Sequence, residues 1–228
     1  MKHSGKATKA ALRLILIALV VLLVILALGA VAIPRGSSGG VFFGGFAVLW
    51  LLFAVFTLYF FRDPDARVPA GANLVLAPGH GKVDVIGTTS EPAFMGGECQ
   101  RVSIFLSVFD VHVQNAPVSG KVAYYKHTTG QFLNALKAES AIYNENVLLG
   151  FEAGEPRGQK VGVRLIAGVI ARRIVPFVQQ GDEVARGDRI GLIQFGSRVD
   201  VYLPRNARIK ARLNDHVVAG ETVLAVFE

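Results

Sequence analysis

The sequence predicts a mainly β protein of the α+β class, in which a compact β domain follows a hairpin of two transmembrane helices. Three observations predict it: two long uncharged stretches before residue 62, short β-type runs broken by glycine after residue 67, and a composition of 52% hydrophobic against 18% charged residues. This balance is too apolar for a disordered or fibrous chain. The 167 residues after position 61 are enough for one domain with its own core.

Two stretches, residues 14–33 and 41–61, are uncharged and almost wholly apolar. About 20 helical residues, rising about 1.5 Å each, cross about 30 Å of hydrocarbon. The segment PRGSSGG between them is turn-forming. We therefore expect residues 1–61 to form a membrane hairpin and residues 62–228 to form the soluble domain. A cleaved signal peptide is the alternative, since Ala30-Val31-Ala32 resembles a cleavage site, but signal peptides have apolar runs of only about 7–15 residues.

The charge is distributed unevenly along the chain. The first 61 residues contain five of the 24 Lys and Arg and no Asp or Glu, which leaves 19 basic against 17 acidic residues in the soluble part. Nucleic acid is therefore not the expected partner, because phosphate binding needs a clustered basic surface on the folded domain. Basic residues flank both outer ends of the hairpin, whereas its loop has only Arg35. The positive-inside rule then predicts a cell-membrane protein with its soluble domain in the cytoplasm.

Short runs rich in β-branched and aromatic residues begin after residue 67 and are separated by glycine. The predicted strands are Asn73–Ala77, Lys82–Ile86, Arg101–Val108, Gly120–Tyr125, Val161–Ile166, Ile190–Ile193, Val199–Leu203 and Thr222–Phe227. Residues 130–149 have the pattern of a short helix, and residues 150–160 that of a Gly-rich loop.

Two segments near the C-terminus share a phrase of the form x-V-x-x-G-[DE]-x-[IV]. They are VQQGDEVARGDRIGLI at 178–193 and LNDHVVAGETVLAVF at 213–227, and each predicts a turn followed by a strand. Such phrases are typical of small barrels of the biotinyl-lipoyl kind. Neither segment has a lysine in a carrier motif at a hairpin tip, which argues against covalent carriage of biotin or lipoate.

Hydrolase, phosphate-binding and zinc-protease motifs are missing from the sequence, and the single cysteine, Cys99, lacks companions for a disulfide or metal site. Three phrases remain as carriers of chemistry: FFRDPD at 60–65, SVFDVHV at 107–113 with APVSG at 116–120, and FGSRVDV at 195–201. Each has an ordinary structural explanation when taken alone: a helix end, a hydrogen-bonded histidine in a strand, and a Gly-Ser turn.

In combination, the three phrases resemble the phosphatidylserine decarboxylases, in particular their short, membrane-anchored form. The resemblance runs from residue 59 to about residue 205 and includes two more phrases in the same order, QFLNA at 131–135 and IAGVIARRIV at 166–175. The FGS phrase belongs to a longer match, GDRIGLIQFGSRVDVYLP at 187–204. Five ordered phrases make a specific signal.

The resemblance implies a proenzyme that cleaves itself between Gly196 and Ser197 into a β chain, 1–196, and an α chain, 197–228. Ser197 would become a covalent pyruvoyl group, which replaces pyridoxal phosphate and needs no metal. This group would form a Schiff base with phosphatidylserine, release CO₂ and give phosphatidylethanolamine. The partners implied are the phospholipid substrate and the two chains of one molecule, with a higher homo-oligomer left open. His112, the one histidine in a matching phrase, is the expected acid/base.

The sequence departs from the family pattern at two places. Pro78-Gly79-His80-Gly81 stands where members read P-A-D-G, and Asn115 stands where the larger members have a second histidine. The candidates for a proton relay are therefore His80, Asp84, Asp110 and Asp200. His3, His127 and His216 match no phrase and are expected to be surface or structural residues, and Arg172 and Arg173 are candidates to hold lipid phosphate.

Two alternatives to the enzyme remain open. One is an uncleaved, non-enzymatic homologue that binds lipid or protein at the membrane, and the other is a lipoyl-like membrane adaptor built on the GD repeats. Replacing Ser197 by alanine distinguishes them from the enzyme, because the substitution should abolish activity in a decarboxylase and be silent in either alternative.

Overall fold

A computed structural model describes residues 2–32, 37–133, 143–168, 173–194 and 197–228. The chain divides into two units, Gly5–Asp63 and Pro64–Glu228, the latter together with Met1–Ser4. The first unit contains the helices α1 (Lys6–Ala32) and α2 (Ser37–Phe60). The second unit contains the β-strands.

Both helices are longer than the apolar stretches that predict them. α1 begins at Lys6 and α2 begins at Ser37, inside the predicted turn. Once a helix has formed, each further residue adds one backbone hydrogen bond, which favours extension beyond the apolar stretch. Both helices are long and apolar enough to cross a membrane. They pack closely at Gly29, where a Cβ atom would lie 2.7 Å from the Phe42 ring.

The described part of the second unit contains fourteen strands. They are β1 (Leu74–Leu76), β2 (Gly81–Glu91), β3 (Gly97–Leu106), β4 (Val113–Asn115), β5 (Gly120–Thr128), β6 (Asn146–Ala153), β7 (Lys160–Ala167), β8 (Ile174–Pro176), β9 (Glu183–Val184), β10 (Arg189–Ile193), β11 (Ser197–Leu203), β12 (Ala207–Ile209), β13 (His216–Val217) and β14 (Val223–Phe227). The prediction of a mainly β domain preceded by two apolar helices is confirmed.

The strands form one large sheet and two small ones. The large sheet has the order β13-β2-β3-β11-β7-β6-β5-β9 and curls into a half-barrel, and the small sheets have the orders β1-β14-β12 and β4-β10-β8. Valine, leucine and isoleucine from alternate positions fill the core between them, including Val199, Val201 and Leu203 of β11. The two C-terminal repeats are each a two-residue strand, a turn and a longer strand, β9–β10 and β13–β14.

These sheets contain an internal pseudo-two-fold relation. Each strand of one half has a counterpart in the other, in the pairs β1/β4, β2/β5, β3/β6, β11/β7, β12/β8, β13/β9 and β14/β10. Exchanging the members of every pair converts one small sheet into the other and leaves the order of the large sheet unchanged. The axis passes between the central strands β11 and β7. The second unit, which we call the β unit, therefore consists of two halves with the same strand pairing. We call them the serine half, because it contains Ser197, and the second half.

A repeated phrase in the sequence underlies this relation. APGHGKV at 77–83 enters β2, and APVSGKV at 116–122 enters β5. The shared glycines, Gly81 and Gly120, have φ of +145° and +149°. A Cβ atom at either position would lie 2.1 or 2.0 Å from a backbone oxygen, that of Phe105 or Glu152 respectively. Only glycine fits such a close approach of two backbones, so both halves require it.

The structure corrects the prediction for residues 130–160. Residues 146–153 form strand β6 instead of the end of a helix or a Gly-rich loop, because β5 and β7 pair with β6 on its two sides. Gly150 lies inside this strand since the Phe94 ring packs on it, 2.5 Å from where a Cβ atom would be. Residues 134–142 of the predicted helix lie outside the described residues.

Candidate active site

Ser197 is the first residue of β11, the central strand of the serine half. It pairs with Leu106 at the end of β3 and with Ala167 at the end of β7. Its side chain is fully buried, and its Oγ atom has no hydrogen-bond partner among the described residues. Gly196, the other side of the predicted cleavage site, lies outside the described residues.

Several loops meet at this end of the sheet, because β3 and β7 end there and β2 and β11 begin there. The loop before β2 packs against β11, since a Cβ atom at Gly79 would lie 3.3 Å from Val199 Cγ2 and 3.5 Å from Leu106 Cδ1. The chain that enters β6 is bonded to the end of β7 through Asn144, whose Nδ2 atom donates to the Ala167 carbonyl at 2.7 Å. The structure thus brings to the strand ends around Ser197 both the PGHG phrase and Asn144, which bonds to Leu133 of the QFLNA phrase.

His112 lies in the loop that follows β3 and is fully buried. Its Nδ1 atom is 2.9 Å from the Asp110 carbonyl oxygen. A carbonyl only accepts, so Nδ1 carries the proton and Nε2 is the basic atom of the neutral ring. The His112 carbonyl accepts a 3.1 Å bond from the Ile193 N–H. This bond ties the histidine to the segment that leads into Ser197.

Asp110 holds this loop in shape. Its Oδ2 atom accepts bonds of 2.8 Å from both the backbone N–H and the hydroxyl of Ser107, and its Oδ1 atom is 3.2 Å from His216 Nε2. His216, which matched no sequence phrase, therefore contacts the loop that carries His112. No local pattern indicates this contact, because more than one hundred residues separate the two positions.

His80 has the opposite ring arrangement to His112. Its Nδ1 atom accepts a 3.2 Å bond from the Ala219 N–H, which places the proton of the neutral ring on Nε2. Asn115, at the other departure from the family pattern, is buried and donates from Nδ2 to the Gly187 carbonyl at 2.7 Å. Asn115 therefore fastens the β9–β10 turn.

The remaining relay candidates lie on the other face of β11. Side chains alternate along a strand, so Arg198 and Asp200 point away from the face that Ser197 shares with Val199. Arg198 is 4% exposed, and its Nη2 atom donates to the Asp84 carboxylate. Asp200 is fully buried, and neither of its oxygens has a hydrogen-bond partner within the described ranges.

Burial raises the pKa of Asp84 above its ordinary value, and this effect outweighs the lowering by the Arg198 charge. The negative charge of Asp200 raises it further. Burial, followed by the charge of Asp200, also raises the pKa of Tyr202, two residues beyond Asp200 on the same face. This face thus holds a buried group of charges behind the serine.

Asp65, the last residue of the FFRDPD phrase, is bonded to a buried arginine within the second unit. Asp65 is 81% exposed and accepts a 2.9 Å bond from Arg189, which is 1% exposed and begins β10 in the GDRIGLI phrase. The bond and the positive charge of Arg189 lower the pKa of Asp65. Arg173 is exposed, and its carbonyl accepts from the Gln194 N–H at 3.1 Å, whereas Arg172 lies outside the described residues.

Comparison with known proteins gives a matching family model and several similar relatives. The family model of phosphatidylserine decarboxylase matches residues 53–225. The phosphatidylserine decarboxylase proenzyme of Desulfotalea psychrophila is 44% identical over 176 residues, which are 77% of this chain and 81% of the relative. The proenzyme of that name from Geobacter metallireducens is 40% identical over 207 residues, 91% of this chain and 90% of the relative. This chain belongs to the phosphatidylserine decarboxylase family.

The range matched by the family model includes all the sequence phrases that meet around Ser197. The matched range contains the PGHG, SVFDVHV and FGSRVDV segments and all fourteen described strands except the end of β14. It begins within α2, so part of the second apolar helix is included in the match. The family resemblance inferred from the sequence is confirmed.

Proposed function

We propose that this protein is a self-processing phosphatidylserine decarboxylase of the cell membrane, with its catalytic domain on the cytoplasmic side. The substrate is the serine headgroup of a phospholipid, and the products are CO₂ and phosphatidylethanolamine. Residues 1–61 serve as the membrane hairpin, and residues 62–228 form the decarboxylase domain. An anchored domain suits a substrate that is confined to the bilayer surface, because the anchor keeps the enzyme close to it.

One observation carries this proposal beyond family membership. The Ser197 hydroxyl is fully buried and has no partner among the described residues, in the position where the family phrases meet. Buried hydroxyl groups are usually hydrogen-bonded, so an exception calls for an explanation. A serine that must attack its own peptide bond needs an uncommitted oxygen, and its cross-strand neighbours Leu106 and Ala167 keep the surroundings apolar.

The proposed maturation needs only the residues of the chain and water. The Ser197 oxygen attacks the Gly196 carbonyl carbon, and the peptide C–N bond breaks as the ester C–O bond forms. Loss of the Ser197 Cα proton then expels the Gly196 carboxylate, which ends the β chain at residue 196. Hydrolysis of the remaining double-bonded residue releases ammonia and leaves a ketone at the start of the α chain, 197–228. Glycine at 196 leaves the attacked carbonyl open, since it has no Cβ atom.

The pyruvoyl group supplies a carbonyl that takes the substrate amine and accepts the electrons released as CO₂ departs. His112 is the proposed acid/base for the proton steps, acting through Nε2, because Nδ1 is bonded to the Asp110 carbonyl. His80 is the proposed relay residue on the Ser197 side, with its proton on Nε2. Asp84 and Asp200, on the opposite face of β11, can influence the serine only through the strand itself.

The deciding experiment is the intact mass of the purified protein under denaturing conditions, measured beside Ser197→Ala and Gln159→Ala. We expect two chains from the wild type, one ending at Gly196 and one beginning with a residue of pyruvoyl mass. Ser197→Ala should give one chain of 228 residues. Gln159 takes the position of Ser197 in the second half, so Gln159→Ala should still be cleaved into the same two chains.

A single wild-type chain would instead favour the second candidate, an uncleaved relative that binds phospholipid at the membrane. One observation supports that alternative. His80 replaces the aspartate of the family pattern, and its Nδ1 atom is engaged by the Ala219 backbone. Decarboxylation of phosphatidylserine vesicles by the purified protein would exclude it, because a pure binding protein releases no CO₂.

A further inference from the structure

A buried ion pair lies directly beside the proposed cleavage site. Arg198, the residue after Ser197, is buried between β3 and β7, and its guanidinium bonds to the Asp84 carboxylate. The two residues are 114 positions apart in the chain. If the chain is cut before Ser197, Asp84 belongs to the β chain and Arg198 is the second residue of the α chain. The pair then joins the two chains one residue from the new terminus.

A β-bulge makes this pair possible. β3 lies between β2 and β11 in the sheet, and the register of β2 against β3 shifts between Val83 and Val85. Asp84 is the extra residue at this shift. A bulge redirects the side chain of its extra residue, which allows Asp84 to reach a strand that its own strand does not touch.

The second half of the domain provides an internal reference. Its matching bulge lies between Val122 and Tyr124, where the extra residue is Ala123. The residue that matches Arg198 is Lys160, whose Nζ atom lies 3.5 Å from the Phe94 carbonyl and 5.2 Å from the centre of its ring. Both halves therefore have the bulge, but only the serine half has a carboxylate there and an arginine to meet it. The scaffold itself does not require the pair.

We propose that Asp84 is a positioning residue for self-cleavage, which acts through Arg198 to hold Ser197 in the attacking geometry. This inference rests on the proposed function. The serine oxygen has no hydrogen bond of its own within the described chain, so its placement depends on the backbone at the start of β11. Arg198 fixes that backbone from the opposite face. After cleavage the same pair holds the new end of the α chain, where the reacting group must stay.

The geometry explains why a carboxylate is needed at this position. Arg198 is nearly fully buried, and a buried cation needs a partner to remain in place. Asp200, two residues further along the same face, supplies a second negative charge nearby, but its oxygens make no hydrogen bond with any described residue. Without Asp84 the guanidinium would turn towards Asp200, and the residue before it would shift. A misplacement of about 1 Å at a reacting group can cost about 100-fold in rate.

The test compares self-cleavage rates of full-length variants made by cell-free synthesis into phospholipid vesicles. The test variant is Asp84→Asn, which keeps the shape but removes the charge, and the rescue variant is Asp84→Glu. Asp65→Asn is the matched control, because it also removes the acidic partner of a buried arginine, Arg189, in the same domain. The conversion of one chain into two is followed on denaturing gels, and thermal stability is measured on the same preparations.

We expect Asp84→Asn to cleave at least about tenfold more slowly than wild type, with Asp84→Glu within about threefold of it. Asp65→Asn should lose some thermal stability yet cleave within about twofold of the wild-type rate. Equal cleavage by Asp84→Asn and wild type would overturn the inference and leave the proposed function intact. A wild-type protein that stays one chain would overturn the proposed function itself.

A further variant keeps the inference testable if Asp84→Asn fails to fold. Arg198→Lys retains the positive charge and most of the length but loses the forked geometry of the guanidinium. We expect folded protein that cleaves at least about threefold more slowly than wild type, and that after complete cleavage shows a reduced kcat with little change in KM. Wild-type cleavage and wild-type kcat in this variant would also refute a positioning role.

Discussion

The serine half and the second half of the β unit have the same strands in the same pairing, yet they differ at every position where chemistry is proposed. His80 corresponds to Ser119, the bulge residue Asp84 corresponds to Ala123, and Ser197-Arg198 corresponds to Gln159-Lys160. The residues that the halves share are the ones that build backbone, such as Gly81 and Gly120. The comparison separates residues needed for folding from residues needed for a reaction.

The halves also differ in the connection that leaves their third strand. In the second half, β6 turns directly into β7, whereas in the serine half β3 continues into the loop 107–112 and then into β4. That loop carries His112 and is held by Asp110. The asymmetric connection therefore brings a histidine to the end of the sheet where Ser197 lies, and the second half has no counterpart of it within the described residues.

The largest change in kcat is expected from a substitution in this asymmetric loop. Substituting His112 by alanine removes the proposed acid/base, and we expect kcat for phosphatidylserine decarboxylation to fall by about 100-fold to 10,000-fold. The measurement is CO₂ release by protein that has completed self-cleavage, as judged by its mass. His127→Ala is the control, since His127 is exposed and pairs with Glu145 on the surface. If kcat of His112→Ala stayed within about threefold of wild type, another group would have to carry the proton.

The next largest effect is expected at the two glycines that the halves share. Gly81→Ala and Gly120→Ala each place a Cβ atom about 2 Å from a backbone oxygen at a positive φ. We expect each to lower the free energy of unfolding by about 2–4 kcal/mol, because the strands must move apart or the turn must be rebuilt. Thermal or denaturant unfolding of both variants checks this. A large loss at one glycine and none at the other would contradict the internal symmetry.

The sequence predicted the parts of this molecule that depend on local pattern. Patterns among neighbouring residues are enough to predict the apolar helices, most long strands, and the serine and histidine phrases. The prediction for β6 was wrong, because Asn146–Ala153 is a strand only through its pairing with β5 and β7. The repeated APxxGKV phrase marks the symmetry and stands in the sequence, but its meaning becomes clear only once the strands are paired.

The unpredicted part of the candidate site depends on contacts between distant residues. The Asp84–Arg198 pair requires a bulge and a strand order that no local pattern gives. Asn144 is bonded to the Ala167 carbonyl beside Ser197, but an asparagine in a loop gives no signal by itself. Ser197 and His112, in contrast, could be named because the family phrases contain them.

The smallest expected effect concerns Asp65, near the start of the β unit. Arg189 lowers the pKa of this carboxyl below its ordinary value of 3.8, so the bond stabilises the folded state fully above that pH and less as the pH falls through the folded-state pKa. We expect Asp65→Asn to be less stable than wild type at pH 7 and the difference to shrink on acidification below about pH 4. Thermal unfolding across that range measures it.

A difference between the two proteins that stayed constant down to about pH 2 would mean that the Asp65 charge contributes nothing, and that only the shape of the side chain matters. Asp65 is largely exposed, so solvent screens its charge and the effect should also weaken with added salt.

Asp84, in contrast, has a raised pKa because burial dominates, so its contribution to stability is largest at low pH and is lost as the pH rises through the folded-state pKa. The two arginine–aspartate pairs should therefore respond to acid in opposite directions, as expected if Asp65 is retained for stability and Asp84 for the position of the serine.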